Sequence, residues 1–184
     1  GRNSPAMNGL TYSLPPDLAR EAEENLHAWE NSDRVTRIWA ADASVWTGTD
    51  EAKWLGSLGI AGEQLAQRER LEQFSAEVKA AHFKDALLLG MGGSSLGPEV
   101  LAETFAQKSG LPKLRVLDST DPAQVRAMES AIDIAHTLFI VSSKSGGTTE
   151  PNVMKDYFFA RVSEAIGANK AGHRFIAVTD PGSS

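Results

Sequence analysis

The chain has 184 residues, of which 41% are hydrophobic and 23% charged, and its formal net charge is −6 at pH 7. No apolar run approaches the roughly 18 residues that a membrane span requires, and neither a signal peptide nor a membrane partner is expected. The absence of cysteine excludes disulfides and thiolate metal sites and favours a cytoplasmic location, while the negative charge disfavours nucleic acid as a partner.

The first 83 residues are predicted to be a tail followed by helices. Residues 1–15 are rich in Gly, Pro, Asn and Ser without periodicity, which is typical of a tail or linker. Residues 16–83 are predicted to form an N-terminal helical segment whose first helix begins at Pro16. A short helix is expected after residue 50, ending at Gly56 or Gly59. A longer helix is predicted from Ala61 to about Phe83, with a buried stripe of its aliphatic positions, Leu65, Leu71 and Val78.

Residues 84–184 show a different period, in which short apolar runs alternate with helical patterns. The runs cover residues 86–89, 114–117, 138–141 and 175–178, and helices are predicted over 97–107, 123–132 and 151–166. Continuously apolar strands between helices indicate an α/β fold, a doubly wound parallel sheet in a Rossmann-like three-layer αβα arrangement. Ligands of such folds bind outside the carboxyl ends of the strands. Another helix is expected after the fourth run, so this domain is predicted to be truncated at its C-terminal end.

The turn after the first run, "GMGGSSLGP" over residues 90–98, is rich in glycine. The dinucleotide pattern G-x-G-x-x-G starting at Gly90 requires glycine where Ser95 stands, and the Walker-type phosphate loop lacks its Gly-Lys pair. Asp118, a candidate ribose ligand, follows Gly90 by 28 residues rather than about 20. Two interpretations of this turn remain open: tight packing between strand and helix, and a nucleotide site. The mismatches to both motifs disfavour the nucleotide site.

The turn after the third run, "SSKSGGTTEP" over residues 142–151, precedes a helical pattern. Thr148 or Thr149 is a suitable N-cap, and Pro151 suits the first helical position. The loop therefore directs backbone N–H groups, at the positive end of a helix dipole, toward a ligand. Lys144 adds a charge, and further hydroxyl donors come from Ser143, Ser145 and Thr148. This pattern favours a phosphate site over an ordinary capped turn.

The two turns together resemble the GxGGSxLGP and Ser-Lys-[Ser/Thr]-x-x-Thr elements of the phosphoglucose isomerase family. "VTDPGS", residues 178–183, is similar to the segment that follows in the first sugar-isomerase (SIS) domain of that family. "SVWTG" and "WLGSLG", within residues 44–59, look like the isomerase portion of bifunctional transaldolase/phosphoglucose isomerase fusions. The resemblance covers about residues 10–184.

The resemblance implies that the loop residues bind a sugar phosphate, with Ser94 and the Gly92-Gly93 backbone completing a site formed by Ser143, Lys144, Ser145 and Thr148. It implies an isomerase of glycolysis and gluconeogenesis that interconverts glucose 6-phosphate and fructose 6-phosphate through a cis-enediol, without a cofactor. The family takes its glutamate base, arginine, histidine and second lysine from downstream segments. The resemblance therefore implies no catalytic residue in this chain, an inactive fragment, and a homodimer for the intact parent.

Two departures and two alternatives accompany the resemblance. Gly146-Gly147 replaces a bulkier pair, which leaves the loop more flexible, and Ser95 stands where many members have Asp. The chain is alternatively a non-catalytic SIS module that senses a sugar phosphate, or a nucleotide-binding oxidoreductase domain. Glu150 is interpreted as a helix-start residue rather than a base, and no spacing of His, Asp and Glu predicts a metal site.

Overall fold

The computed structural model describes residues 13–105 and 107–183. Most of the predicted tail, residues 1–12, lies outside these ranges. Contacts between residues divide the chain into two compact units, the first ending at Arg68 and the second beginning at Glu69. This division falls one helix before the predicted boundary at residues 83 and 84, because most of the helix Arg68–Ala80 groups with the sheet. The predicted domain limits stay a prediction.

The first unit is helical, as expected, but its segments are shorter than predicted. Helix α1 covers Pro16–Asn31, with Pro16 at its first turn, and it is followed by α2 (Arg34–Trp39) and α3 (Ile60–Ala66). Instead of one short helix after residue 50, two 3-10 turns cover Glu51–Lys53 and Leu55–Leu58. The second of these turns ends at Gly59.

The single helix predicted from Ala61 to about Phe83 is wrong, because two helices occupy this range. Helix α3 ends at Ala66, since the backbone of Gln67 leaves the helical region at φ −95° and ψ 12°, and α4 then covers Arg68–Ala80. The predicted buried stripe is also wrong, since Leu65 is 74% and Leu71 50% exposed. The helical period predicted helices in this range correctly. Such a period does not predict which part of the protein, if any, packs against the apolar side of a helix.

The second unit contains the predicted parallel sheet, with four strands in the order β2-β1-β3-β4. The strands are β1 (Asp85–Gly90), β2 (Lys113–Leu117), β3 (Thr137–Ser142) and β4 (Phe175–Val178). Every residue of β1 is buried, which explains why its sequence is a continuous apolar run rather than an alternating one. The α/β class, with an N-terminal helical segment ahead of the sheet, is confirmed.

Besides α4, the described residues of this unit form the helices α5 (Gly93–Phe105), α6 (Pro122–Ala131), α7 (Thr149–Ile166) and α8 (Ala168–Ala171). Helix α5 begins four residues before the predicted Gly97, because the glycines after β1 form its first turn. Helix α6 begins with Pro122 after Asp121, whose carboxylate accepts hydrogen bonds from the backbone N–H groups of Ala123 and Gln124. None of the described helices is long and apolar enough to cross a membrane.

The main core lies between α7 and one face of the sheet. Met154, Phe158 and Val162, spaced by four residues, are buried against strand residues that include Leu87 and Phe139. The Phe139 ring lies 5.2 Å from the Phe158 ring and 4.8 Å from the Phe175 ring. Val153 and Tyr157 lie on the outward side of α7, where both side chains are exposed.

Replacing Phe158 with alanine is expected to lower the free energy of unfolding by about 3–5 kcal/mol, because a fully buried ring leaves a cavity. Chemical denaturation followed by circular dichroism measures the change. Phe105→Ala is the matched control, since Phe105 is 70% exposed and its loss should change stability by less than about 0.5 kcal/mol. Equal effects of the two substitutions would contradict the assigned core.

Candidate functional site

The two sequence motifs lie side by side at the carboxyl end of the sheet. Strand β1 pairs in parallel with β3, and the last pair in register is Gly90 with Ser142. Because β2 lies on the other side of β1, the connections that leave β1 and β3 diverge at this point. Such a switch in strand order opens a crevice between the two loops, and open α/β sheets bind ligands there.

Glycine is required at two positions of the first loop. A Cβ atom on Gly90 would lie 3.2 Å from the carbonyl oxygen of Ser142 and 3.2 Å from both Cβ and the carbonyl oxygen of Ser94. Gly92 has a φ of 55°, in the left-handed region that favours glycine. The fully buried Ser95 donates a 2.9 Å hydrogen bond to the Gly92 carbonyl. Tight packing therefore accounts for Gly90 and Ser95, and the left-handed backbone accounts for Gly92.

The predicted phosphate ligands of this first loop lie at the crevice. Gly93 is the first residue of α5, and both Gly92 and Gly93 are exposed. The Ser94 side chain is half-buried beside Gly90. The structure thus leaves the backbone of Gly92-Gly93 accessible at the start of a 13-residue helix.

The second loop divides its polar side chains into two groups. Ser143 is buried and donates through Oγ to Oγ1 of Thr148 at 3.0 Å. This leaves the Thr148 hydroxyl hydrogen available to a further acceptor, because a hydroxyl both donates and accepts. Lys144 and Ser145 are exposed. The four predicted loop residues therefore combine a fixed hydroxyl pair with two side chains that face solvent.

Helix α7 begins where the second loop ends. Thr148 is its N-cap residue, with extended φ and ψ of −66° and 127°, and its side chain makes no capping hydrogen bond. Pro151 is the third helical residue rather than the predicted first; any first-turn position suits proline, because first-turn N–H groups lack intrahelical acceptors. The N–H groups of Thr149 and Glu150 therefore lie at the positive end of the α7 dipole.

Residues outside the motif anchor this loop. The last residue of β4 and the turn after it contribute three hydrogen bonds: Ser143 N–H donates to the Val178 carbonyl at 3.0 Å, and the Lys144 carbonyl accepts from Asp180 N–H at 3.1 Å and Thr179 Oγ1 at 3.3 Å. Asn152, on the first turn of α7, donates to the Gly146 and Thr148 carbonyls. The sequence analysis missed Thr179 and Asn152. The only local signal was the spacing of Asn152, four residues after Thr148.

A cleft of about 540 Å³ lies beside the loop, between α7 and β4. It reaches Ser143 and Gly146 at its upper end, and Phe159 and Phe175 line its apolar part. Lys144, Ser145 and Thr148 are outside its lining. Of the four predicted loop ligands, this cleft therefore reaches Ser143 alone.

Helix α7, which carries the loop, is also fixed to α6 by a polar cluster. The Glu129 carboxylate accepts from the Tyr157 hydroxyl at 2.6 Å and from Nε of Arg161 at 2.5 Å. The hydrogen bond from Tyr157 and the charge of Arg161 hold the pKa of Glu129 below its ordinary value, and the same contact raises the pKa of Tyr157. Arg161 also pairs with Glu164.

Glu129→Gln is expected to lower the free energy of unfolding at pH 7 by about 1 kcal/mol, since it removes a charged acceptor from a partly exposed ion pair. A lowered folded-state pKa stabilises the protein above the unfolded pKa, near 4.5, and this stabilisation is lost as the pH falls further. Urea denaturation of both proteins should therefore show a difference that shrinks below about pH 4.5. Glu164→Gln, at a side chain that is 65% exposed, is the control and should have a smaller effect at every pH.

Gly90→Ala is expected to lower the free energy of unfolding by about 1–2 kcal/mol, because its Cβ would press on the backbone of both loops. Gly97→Ala is the matched control within α5, where nothing lies within 4 Å of an added Cβ. That substitution should be neutral or stabilising by up to about 1 kcal/mol, as alanine favours helix. Thermal unfolding measures both, and a stable Gly90→Ala protein would contradict the close approach of the loops.

Comparisons with known proteins agree with this geometry. A family model described as phosphoglucose isomerase matches residues 62–181. A glucose-6-phosphate isomerase of Chlamydia muridarum is 32% identical over 152 residues, which cover 81% of this chain and 26% of that protein. One of Trichormus variabilis is 37% identical over 102 residues, covering 50% of this chain and 19% of that protein.

Solved structures show the same fold. A glucose-6-phosphate isomerase from Chlamydia trachomatis superposes with a TM-score of 0.59 at 28% identity, covering 82% of this chain and 27% of that one. A hypothetical protein from Thermus thermophilus gives a TM-score of 0.65 at 24% identity, covering 88% of this chain and 37% of that one. The chain spans between 18% and 31% of the length of the curated relatives it matches. The family match over residues 62–181 establishes that the chain belongs to the phosphoglucose isomerase family.

Proposed function

We propose that this chain binds the phosphate group of a 6-phosphosugar in the crevice between the β1 and β3 loops. The observation that carries the proposal is the register of β1 and β3, in which Gly90 pairs with Ser142 and brings both motifs to one edge. The proposed ligands are the predicted ones: Gly92, Gly93, Ser94, Ser143, Lys144, Ser145 and Thr148.

The proposed ligands differ in what they supply. Lys144 brings a positive charge, while Ser145 and Thr148 bring hydroxyl donors. The first turn of α7 adds the N–H groups of Thr149 and Glu150, aligned with the helix dipole. Each hydrogen bond to a charged phosphate is worth about 1.5–3 kcal/mol, so a few of them provide micromolar to millimolar affinity.

We propose further that the chain is the phosphate-binding SIS portion of a glucose-6-phosphate isomerase. Its relatives carry that name, and their substrates would be glucose 6-phosphate and fructose 6-phosphate, interconverted through a cis-enediol without a cofactor. Phosphate is remote from the reacting C1–C2 bond, so its binding energy can orient that bond toward a base. In this proposal the base lies outside the chain, which binds the sugar phosphate but does not isomerise it.

Three further expectations about the parent stay predictions: a fused transaldolase, a homodimer and a cytoplasmic location. An isomerase assay of the chain and of an intact relative tests whether the chain lacks the base that isomerisation requires. Conversion of fructose 6-phosphate by the chain alone, above the rate without protein, would overturn the proposed absence of a base. Conversion by the relative alone supports it.

Lys144→Ala and Ser145→Ala are each expected to weaken fructose 6-phosphate binding by about 1.5–3 kcal/mol, because each removes a donor to a charged group. Both side chains are exposed, so the melting temperature should change little. Isothermal titration calorimetry measures the affinity. Lys155→Ala is the control, because it removes the same charge from a residue that lies on α7 beyond the loop and pairs with Asp156.

A parallel titration with NAD separates sugar-phosphate binding from a nucleotide site at the same loops. Binding of fructose 6-phosphate without binding of NAD is expected. NAD binding in the absence of sugar-phosphate binding would contradict the proposal, as would unchanged affinity in both loop variants.

A further inference from the structure

Asn152 is a polar residue of α7 whose side chain is directed at the loop. Its Nδ2 donates to the carbonyl oxygen of Gly146 at 2.8 Å and to that of Thr148 at 2.9 Å. The residue is half-buried. One amide group therefore connects the first helical turn to two peptide units of the loop that precedes it.

The two hydrogen bonds fix the direction of the loop peptides. In a trans peptide the C=O and the following N–H point to opposite sides. When Asn152 binds the carbonyls of Gly146 and Thr148, the N–H groups of Gly147 and Thr149 are turned away from it. The Gly147 N–H donates to Oγ of Ser145 at 3.3 Å, which holds that hydroxyl beside the loop, and the Thr149 N–H lies at the start of α7. An anion is attracted by N–H groups and repelled by carbonyl oxygens, so this orientation determines whether the loop favours phosphate.

The loop needs such a tether because its centre is Gly146-Gly147. Gly146 has a φ of 70°, and glycine has more backbone freedom to lose on ordering than any other residue. Ser143 and Lys144, in the first half of the loop, are fixed by the turn after β4. Asn152 fixes the second half, together with the bond between Ser143 and Thr148.

We infer that Asn152 is a positioning residue for phosphate binding, an inference that rests on the proposed function. Asn152 keeps the loop in its binding-competent conformation, and apparent affinity falls in proportion to the population of that conformation. The bond to Thr148 alone would be an ordinary helix-end contact, as Thr148 is the N-cap residue. The bond to Gly146, two residues earlier, extends the effect of Asn152 into the loop.

The test compares Asn152→Ala with Asn152→Asp. Aspartate keeps the shape of asparagine but loses the donor and adds a negative charge that repels phosphate, so a role in packing alone predicts that loop motion in Asn152→Asp equals that of the unaltered chain. Asn25→Ala is the matched control, because Asn25 also donates to a backbone carbonyl four residues earlier, at 2.9 Å, on α1. Three measurements are made on each protein: melting temperature, ¹⁵N relaxation of the amides at 146, 147 and 149, and affinity for inorganic phosphate and fructose 6-phosphate.

Both Asn152 variants are expected to bind fructose 6-phosphate about tenfold more weakly, as the loss of one to two net hydrogen bonds predicts. Without ligand, the amides at 146, 147 and 149 should move faster in both variants than in the unaltered chain. With saturating fructose 6-phosphate, the amide chemical shifts of the Asn152→Ala loop should approach those of the unaltered chain with the same ligand. Asn25→Ala should bind as the unaltered chain does.

The outcomes separate the two proposals. If the unaltered chain binds and Asn152→Ala or Asn152→Asp binds equally well, the inference about Asn152 fails and the proposed function stands. Weaker binding with unchanged loop motion also overturns the inference, because the effect would then not pass through the order of the loop. If the unaltered chain binds neither phosphate nor fructose 6-phosphate, the proposed function fails and the inference with it.

Discussion

The parallel pairing of β1 with β3 is the interaction on which the rest of the structure depends. It places Leu87 opposite Phe139 in the core and ends with Gly90 opposite Ser142 at the crevice. The connections from these strands then lead to different helices, α5 and α7. A single hydrogen-bonded register therefore fixes both the core and the relative position of the two loops.

The proposed site combines a helix that is packed on the sheet with a loop that is held by individual hydrogen bonds. Met154, Phe158 and Val162 attach α7 to the sheet, so the positive end of its dipole has a fixed position. The loop that precedes α7 contains two adjacent glycines, so its conformation depends on individual hydrogen bonds from Asn152 and from the turn after β4. Preorganised N–H groups bind an anion more tightly because less conformational entropy is lost on binding. The order of the loop, and with it the affinity of the proposed site, thus depends on contacts that the motif itself does not contain.

The strands were predictable to within a residue or two because continuous apolar runs between turns fit buried parallel strands. Helix boundaries were less predictable: the glycine-rich turn after β1 is also the first turn of α5, and Gln67 separates α3 from α4 without a glycine or proline signal. The proposed loop ligands Lys144 and Ser145 come from the local sequence pattern and stay a prediction. The anchoring role of Thr179 does not follow from that pattern, because it depends on β4 lying beside β3, about 35 residues later in the chain.

Two carboxyl groups of the sheet unit have a lowered pKa, and structural contacts account for both. The hydrogen bond from Tyr157 and the contact with Arg161 lower the pKa of Glu129, and Lys84 and His136 lower that of Asp133 to about 2. Glu129 connects α6 to α7, and Asp133 connects the segment before β3 to the residue that precedes β1. Because hydrogen bonds to charged groups contribute more to stability than neutral ones, these contacts stabilise the scaffold that carries the two loops.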